Sequence, residues 1–411
     1  MSIGEGPIGD SFSAVSRRIT VIGLGHVGLT TAACFAHLGH EVWGVDSSSS
    51  HVDRVSGGHV DFFEEGLPKL VAEGLANGRL HVSTQHGRAA PEFVFVCTPT
   101  PSIDGRLDAT ITADAISHLR PFIDEATIIV VKSTVPVGFT VALGPRAVSN
   151  PEYLRAGTGP YDFLHPERIV IGATDVDAGD AVAGLYDGLG PVVRTDPSSS
   201  ELAKLAANSF LAIKVSFINE LTQVAEAHQA DTFEVARILG MDRRIGPAFL
   251  TPGPGWGGPC LPKDSGELAA IGMSLVGAAR EVNHAQPQRV VAKVAEACGG
   301  SVAGRKIAVW GIAFKPGSED LLESPAMRVV RVLRAAGAQV CAYDRLATHP
   351  DLDMAASPLA ACHGADVLVV FDDQPIETEH IPVRAVVDAV NSRPVDEWRR
   401  AGLLVFGLGR R

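Results

Sequence analysis

Cys260 stands apart from the other five cysteines of this 411-residue chain by the residues around it. Cys97 and Cys341 sit in apolar runs that suit a buried thiol. Cys260 falls in Gly257-Gly-Pro-Cys260-Leu-Pro-Lys263-Asp264, behind a glycine pair and ahead of a lysine and an aspartate. A neighbouring ammonium favours the thiolate, the form of sulfur that attacks carbonyl carbon. A second chemical feature is Gly23-Leu-Gly25-His-Val-Gly28, set between a strand-like run and a helix-like one. In such a loop the first glycine permits the tight turn and the second lets a diphosphate approach the backbone. The third brings helix and strand together, and the helix N-terminus supplies unpaired N–H groups. Asp46 ends the next strand-like run, where a carboxylate binds the adenosine ribose. Ser47–Ser50 follow with no cation for a 2′-phosphate, so the expected cofactor is NAD rather than NADP.

Lys204 and Asn208, four residues apart in a helical stretch, share one face. Spacing alone favours a solvated lysine and an ordinary helix asparagine over a functional pair, and Lys214, Asn219 and Glu220 nearby are just as polar. Thr98 in Cys97-Thr-Pro-Thr-Pro101, Thr134 in Lys132-Ser-Thr-Val-Pro-Val-Gly138, and Asn150-Pro-Glu152-Tyr153-Leu154-Arg155 each follow a strand-like run. Residues there line the ligand crevice of a parallel sheet. Taken singly, each also reads as an ordinary turn.

These groups need elements to hold them. Arg18–Gly23, Glu41–Asp46, Phe93–Thr98 and Ala126–Lys132 are short β-branched or apolar runs alternating with amphipathic stretches, among them a helix over Gly28–Leu38. That alternation predicts a parallel sheet covered on both faces. After Pro197 the pattern becomes helical. Ser198 and Glu201 read as a capping box, and Leu202, Leu205, Ser209, Ala212, Ile213, Phe217, Leu221 and Val224 as a buried stripe of one or two helices over Ser198–Leu239. Glycines and prolines over Gly246–Pro262 forbid regular structure, and helical pattern resumes to about Cys298. From Gly304 strands return, over Lys306–Gly311, Gln339–Tyr343, Asp366–Phe371 and Ala385–Asp388. The expected fold class is α/β, two Rossmann-like parallel-sheet domains joined by a central helical domain with one long helix. The expected boundaries are a flexible tail over 1–16, then 17–197, 198–300 and 301–411.

Composition bounds what this scaffold can do. Apolar residues make up 46% and charged residues 20%, which excludes a disordered chain. Against 35 Lys and Arg stand 47 Asp and Glu, a formal charge of −12. That balance argues against nucleic acid and anionic membrane as partners and leaves any anionic ligand to local cations. No run reaches the roughly 18–20 apolar residues of a membrane span, and the first sixteen residues do not read as a signal peptide. Scattered cysteines without a C-x-x-C pair argue against structural zinc and a disulfide framework, so no metal is expected and the setting is expected to be cytoplasmic.

The motifs together resemble the UDP-glucose/GDP-mannose dehydrogenase family, most closely its UDP-glucose branch. Besides the glycine fingerprint they include VCTPTP (Val96–Pro101), KSTVPVG (Lys132–Gly138), NPEYLRAG (Asn150–Gly157) and DFLHPERIVIG (Asp162–Gly172). They continue with ELAKLAANSFLAIKVSFINE (Glu201–Glu220), RRIGPAFLTPGPGWGGPCLPKD (Arg243–Asp264) and GIAFKPGSEDLLESP (Gly311–Pro325). The resemblance covers the chain from about Arg18 to its end, in family order. It implies an NAD-binding domain, a central dimerisation and catalytic domain, and a C-terminal nucleotide-sugar-binding domain. It implies a four-electron oxidation of a sugar 6-hydroxymethyl to a carboxylate, UDP-glucose to UDP-glucuronate, through a Cys260 thiohemiacetal and thioester. By resemblance, Lys204 and Asn208 are oxyanion donors, with Lys204 also shuttling a proton. Asp264, with Thr134 and an ordered water, handles protons, and Glu152 assists thioester hydrolysis. The implied cofactor contacts are Gly23, Gly25, Val27, Gly28, Asp46, Thr98, Thr134 and Lys263. The implied substrate contacts are Glu152, Tyr153, Leu154, Lys204, Asn208, Phe249, Leu250, Thr251, Pro252, Gly253, Gly257 and Lys315. Arg244 resembles the arginine that reaches a neighbouring subunit's substrate, which implies a homodimer.

The chain departs from the family pattern in places. Many members carry Tyr where His26 stands, Glu at Ala156 and Ser at Pro259. Leu322 and Val390 each replace an arginine, and neither can supply a bidentate phosphate contact. The alternatives are the same chemistry on another nucleotide sugar (dTDP-glucose or an N-acetylhexosamine nucleotide), a two-electron β-hydroxyacid-type dehydrogenase, and a catalytically impaired nucleotide-sugar-binding protein.

Overall fold

The computed structural model describes residues 15–85, 90–373 and 381–410. The tail expected over 1–16 lies outside these except for its last two residues. Contacts divide the chain into two compact units, one built from the residues up to Ile103 and Leu107–Lys204, the other from Asp104–Arg106 and Leu205–Arg411.

The first unit is built on an eight-stranded sheet. From edge to edge its strands are Val192–Thr195, Ile169–Ala173, Ala147–Ser149, Ile128–Val131, Phe93–Val96, Arg18–Ile22, Glu41–Val45 and Leu80–Ser83. Only the pair Ala147–Ser149 and Ile169–Ala173 is antiparallel. Strands such as Phe93–Val96 are buried along their whole length, as continuously apolar strands covered on both faces must be. Chain order reverses between Arg18–Ile22 and Phe93–Val96, so the carboxyl ends of these two strands open the crevice where such sheets take ligands. Gly23 and Cys97–Thr98 stand at those ends. The helix His26–His37 follows at once, and its residues from Gly28 to Ala36 are all buried.

The long helix spans Pro197–Ala227, 31 residues, and a second helix spans Thr232–Met241. Two of its expected details are corrected. The cap is Asp196, whose carboxylate accepts the Ser199 amide at 2.9 Å and the Ser199 hydroxyl at 2.6 Å. Glu201 turns away from the helix start to accept the amides of Gly138 at 2.6 Å and Thr140 at 2.8 Å. The expected apolar stripe also divides. Leu205, Ser209 and Ala212 are buried, while Leu202, Phe217 and Val224 are exposed. The buried face continues instead through Ser216, Asn219 and Thr222. Two of these buried polar side chains are satisfied by carbonyls, Ser216 donating to Ala279 at 2.7 Å and Thr222 to Ile218 at 2.8 Å.

The irregular stretch after Met241 ends sooner than expected, because the helix Leu261–Ala270 starts directly after Cys260 with Pro262 in its first turn, where a missing N–H costs nothing. The helix Ser274–Ala297 follows. The second sheet has six parallel strands in the order Asp353–Met354, Gln339–Tyr343, Lys306–Trp310, Val367–Val370, Ala385–Asp388 and Leu404–Gly407. It repeats the turn geometry of the first. The Gly311 amide donates to the Tyr343 carbonyl at 2.8 Å and the Ile312 amide to Asp344 at 2.8 Å. In the first unit the Gly23 amide donates to the Val45 carbonyl at 2.8 Å and the Leu24 amide to Asp46 at 2.9 Å. Both domains are thus Rossmann-like. Among the described residues no helix is long and apolar enough to cross a membrane.

Candidate active site

The glycine fingerprint forms a cradle that fits a dinucleotide. Gly23 has φ +84°, and a Cβ there would lie 2.9 Å from the Cys97 carbonyl oxygen. At Gly28 a Cβ would lie 1.7 Å from the Gly23 carbonyl oxygen, so only glycine lets helix and turn meet. Nothing lies within 4 Å of a Cβ built on Gly25, which leaves that face open to a diphosphate. Val27 lies in the first turn of the helix behind it. The Asp46 carboxylate is fixed at the end of its strand by the amides of Leu24 and Ser48, each at 2.9 Å. Thr98 meets Thr112 at 2.9 Å, hydroxyl to hydroxyl, and its carbonyl accepts the Ser133 hydroxyl at 2.7 Å. The Thr134 carbonyl accepts the Thr100 hydroxyl at 2.7 Å. The turn, the open face, the helix N-terminus and the placed carboxylate together suit NAD.

Glu152 and Lys204 form a buried ion pair at 2.8 Å, with side chains 10% and 5% exposed. The solvated-lysine reading of Lys204 is thereby excluded. Burial alone would raise the Glu152 carboxyl. The Lys204 ammonium, together with the Leu154 amide at 2.7 Å, outweighs burial and holds the carboxyl below its ordinary range. The Tyr153 ring meets two cations, with the Arg168 guanidinium 3.9 Å and the Lys204 ammonium 5.3 Å from its centroid. Lys132, not singled out by the sequence, is buried beside this pair. Its ammonium donates to Asn150 Oδ1 at 3.2 Å and to the Tyr186 hydroxyl at 3.4 Å. Burial pushes its pKa down to about 8, against the upward pull of Cys97 and Glu152. A cavity of about 380 Å³ opens on Lys132, Glu152, Tyr153 and Tyr186.

In the second unit Cys260 is exposed and occupies the N-cap position of the helix Leu261–Ala270. The sequence assigned thiolate support to Lys263. That ammonium is paired to Asp264 at 2.7 Å, and Cys260 stands at the helix N-terminus, where the positive end of the helix dipole also favours an anion. Asp264 is fully buried and also accepts Asn208 Nδ2 at 2.5 Å. Asn208, Lys263 and Asp264 are therefore brought into one hydrogen-bonded group, the last two within about a turn of Cys260 in sequence.

The loop from Phe249 to Gly257 is fastened by residues that spacing did not pick out. Asn219 accepts the Gly253 amide at 2.8 Å, and Gln286 donates to the Gly253 carbonyl at 2.7 Å. Asn283 closes a two-bond clamp on the Trp256 backbone, at 2.8 and 2.9 Å. The Pro252 carbonyl accepts Asn391 Nδ2 at 3.2 Å. Phe249 is half-exposed and has φ +63°, a strained conformation for a bulky residue. Leu250 is buried beside it, and Thr251 is exposed. A Cβ on Gly257 would lie 1.9 Å from the Glu323 carbonyl oxygen. Leu322, one of the departures, is exposed, and its carbonyl accepts the Gly258 amide at 3.0 Å. Lys315 lines a small pocket with Gly311, Asp344 and Asp372. Arg244 is well exposed and paired to Asp242 at 2.6 Å. A signal for the missed anchors existed, since Asn283 and Gln286 lie three residues apart on one helix face. For Lys132 there was only its place directly after an apolar strand. Among the described residues no group of three or more His, Cys, Asp and Glu is placed to hold a metal ion.

Two sheets of dinucleotide-binding order, one with a cradle fitted to NAD, define a dinucleotide-binding protein. The chain belongs to the UDP-glucose/GDP-mannose dehydrogenase family, whose NAD binding, central and UDP binding domains match residues 17–189, 198–285 and 308–394. It is 38% identical to a UDP-glucose 6-dehydrogenase of Rhizobium meliloti strain 1021, over 96% of this chain and 99% of that one. A UDP-glucose 6-dehydrogenase of Haloferax volcanii is 36% identical, over 93% and 96%. The structure of a UDP-glucose dehydrogenase from Pyrobaculum islandicum superposes with a TM-score of 0.89 at 31% identity, covering 98% of this chain and 99% of that one. A UDP-D-ManNAc dehydrogenase structure from Pyrococcus horikoshii reaches 0.87 at 25% identity, covering 96% and 99%. The chain is an NAD-dependent nucleotide-sugar dehydrogenase.

Proposed function

We propose that the protein oxidises UDP-glucose to UDP-glucuronate, with Cys260 as covalent nucleophile. The observation that carries this reading is Cys260 capping the helix Leu261–Ala270, with buried Asp264 in that helix's first turn bonded to Asn208. A two-electron alcohol dehydrogenase has no use for that arrangement.

NAD, held by Gly23, Gly25, Val27, Gly28, Asp46, Thr98, Thr134 and Lys263, supplies a hydride acceptor for each of the two oxidations. In the first, the C6 hydroxyl loses its proton towards Asp264 as a hydride leaves carbon, giving an aldehyde. The Cys260 thiolate adds to that carbon, forming a C–S bond and an oxyanion. Collapse of this thiohemiacetal oxyanion expels the second hydride and leaves a thioester. Water then adds to the thioester carbonyl while Glu152, kept ionised by Lys204, takes its proton. The C–S bond breaks, and carboxylate and free thiol result. Lys204 and Asn208 donate to the successive oxyanions, a role worth around 10²–10³ in kcat for each donor. Covalent capture keeps the aldehyde from escaping between the oxidations.

Phe249–Gly253, Gly257, Tyr153, Leu154 and Lys315 are proposed to hold the nucleotide sugar. The division into 17–197, 198–300 and 301–411, and a cytoplasmic setting, belong to the same reading. So does a homodimer, with Arg244 reaching the partner's substrate. Phe210, Phe217 and Val224 support it, exposed and seven residues apart on the long helix, the spacing of an interhelical seam. Resemblance to the Pyrococcus structure and the loss of arginine at 322 and 390 keep a second substrate in view, an N-acetylhexosamine nucleotide.

The test is NADH yield across UDP-glucose, dTDP-glucose, GDP-mannose and UDP-N-acetylhexosamines, with the product weighed by mass spectrometry. About two NADH per UDP-glucose and a carboxylate product are expected, and Cys260→Ser is expected to lose that product. One NADH and an aldehyde, or an unimpaired serine variant, would overturn the covalent mechanism.

A further inference from the structure

His26 is a departure that the proposed chemistry does not use. It is the first residue of the helix His26–His37, whose N-terminus faces the dinucleotide diphosphate in this fold. Its side chain is 58% exposed and packs against the Phe62 ring, tilted by 31° with centroids 3.9 Å apart. Its Nδ1 lies 3.3 Å from Glu64 Oε1. Glu64 is 5% exposed, and a buried carboxylate without donors would be costly. Its second oxygen accepts the Gly159 amide at 2.7 Å. Burial pushes the Glu64 carboxyl up, and His26 with the amides of Gly159 and Gly157 more than reverses this, so the group is held ionised. The adjoining Glu65 amide donates to the Gly157 carbonyl at 3.1 Å. The turn at Gly159 leaves no slack, since a Cβ there would lie 3.1 Å from Glu64 Oε2 and 3.4 Å from Thr30 of the cofactor helix.

Gly157 and Gly159 close the segment that begins at Asn150 and carries Glu152. One buried carboxylate therefore ties the start of the cofactor helix to the end of the loop holding the hydrolytic carboxylate. We propose that Glu64 and His26 are a positioning pair through which an occupied NAD cradle orders the Asn150–Gly159 segment for the nucleotide sugar. A diphosphate at the helix N-terminus engages the first-turn amides beside His26 and so holds that turn, and the ring that meets Glu64, in place. Glu64 in turn fixes the Gly157 and Gly159 amides. A loop already ordered by the cofactor loses less conformational freedom when sugar binds, so the two ligands bind with positive coupling. The inference rests on the assignment of Glu152's loop to the sugar nucleotide.

The experiment is calorimetric titration of UDP-glucose into the holoprotein with saturating NADH, which cannot turn over, and into the protein without it. Wild type is expected to bind UDP-glucose at least about fivefold more tightly with NADH present. In Glu64→Gln and His26→Phe the ratio is expected to fall towards one. Hydrogen exchange at the Gly157 and Gly159 amides is expected to slow on NADH binding in wild type and not in His26→Phe. His26 is exposed, so its replacement serves the test even where Glu64→Gln fails to fold. His26→Tyr, which returns a donor to Glu64, is expected to restore part of the coupling. A wild-type ratio of one, or a ratio unchanged in both variants, would overturn the proposal. Absence of UDP-glucose binding in both conditions would count against the substrate reading alone, and the ratio is then read with the nucleotide sugar that the NADH panel selects.

Discussion

Lys132 shows what burial does to a single ionisable group. Among the described residues its ammonium has neutral hydrogen-bond partners, Asn150 and Tyr186, and lies 5.8 Å from the ring centroids of Phe163 and Tyr186. Desolvation therefore dominates and lowers its pKa from 10.5 to about 8. Between these values the folded chain binds fewer protons than the unfolded one, so this group makes stability rise with pH. Lys132→Met removes that rise. Urea unfolding at pH 7 and pH 10 should show wild type gaining about 2–3 kcal/mol relative to the variant, and parallel pH dependences would contradict this account. Sequence offered no route to this residue, because an apolar strand end followed by lysine is equally compatible with an exposed side chain. Cys260 was legible for the opposite reason. Glycine and proline around a cysteine break the setting a core thiol needs, and that incongruity is local. Its neighbours Lys263 and Asp264 pair with each other, which nothing in the order Cys-Leu-Pro-Lys-Asp reveals.

At the scale of elements, the loop around Trp256 depends on backbone proximity as much as on its anchors. The Glu323 carbonyl that a Cβ on Gly257 would strike is itself main chain and cannot rotate away. Gly257→Ala should cost about 1–3 kcal/mol of stability and raise KM for the nucleotide sugar more than for NAD. Gly246 has φ +69° but open space around it. There the same substitution carries only the conformational cost, about 1 kcal/mol. Chemical denaturation and steady-state kinetics on both variants separate the two effects, and equal losses would refute a role for the close approach. Strands and helices of both sheets were readable because their apolar periodicity is set by burial. The helix cap was not. Asp196 and Ser198 are both good caps, and the choice fell to Asp196 because the Gly138–Thr140 turn engages Glu201.

At the scale of the whole molecule, the long helix explains why one apolar pattern gave two answers. Leu205 and Ala212 serve the core, whereas Phe210, Phe217 and Val224 remain exposed on a chain of formal charge −12. A single chain gains nothing by leaving such side chains in water, and a second copy would bury them. Phe217→Asp is expected to halve the mass measured by light scattering behind a sizing column. An unchanged dimer mass would move the interface elsewhere, and a monomeric wild type would remove the dimer from the proposal.

By itself the sequence determined the α/β class, the NAD cradle and the candidacy of Cys260, Lys204, Asn208 and Asp264. The class, the cradle and Cys260 rest on contiguous residues whose types and order carry physical meaning, such as glycines where backbone must approach backbone and apolar runs where both faces are covered. Lys204, Asn208 and Asp264 were picked out by the family resemblance of the motifs around them. Tertiary structure alone decided which polar residues are buried and with whom. Lys204 met Glu152, Lys132 was left to neutral partners, and Glu64 joined His26 to Gly159 across 38 and 95 residues of chain. Those outcomes depend on desolvation and on distances between remote segments, and no local pattern encodes either.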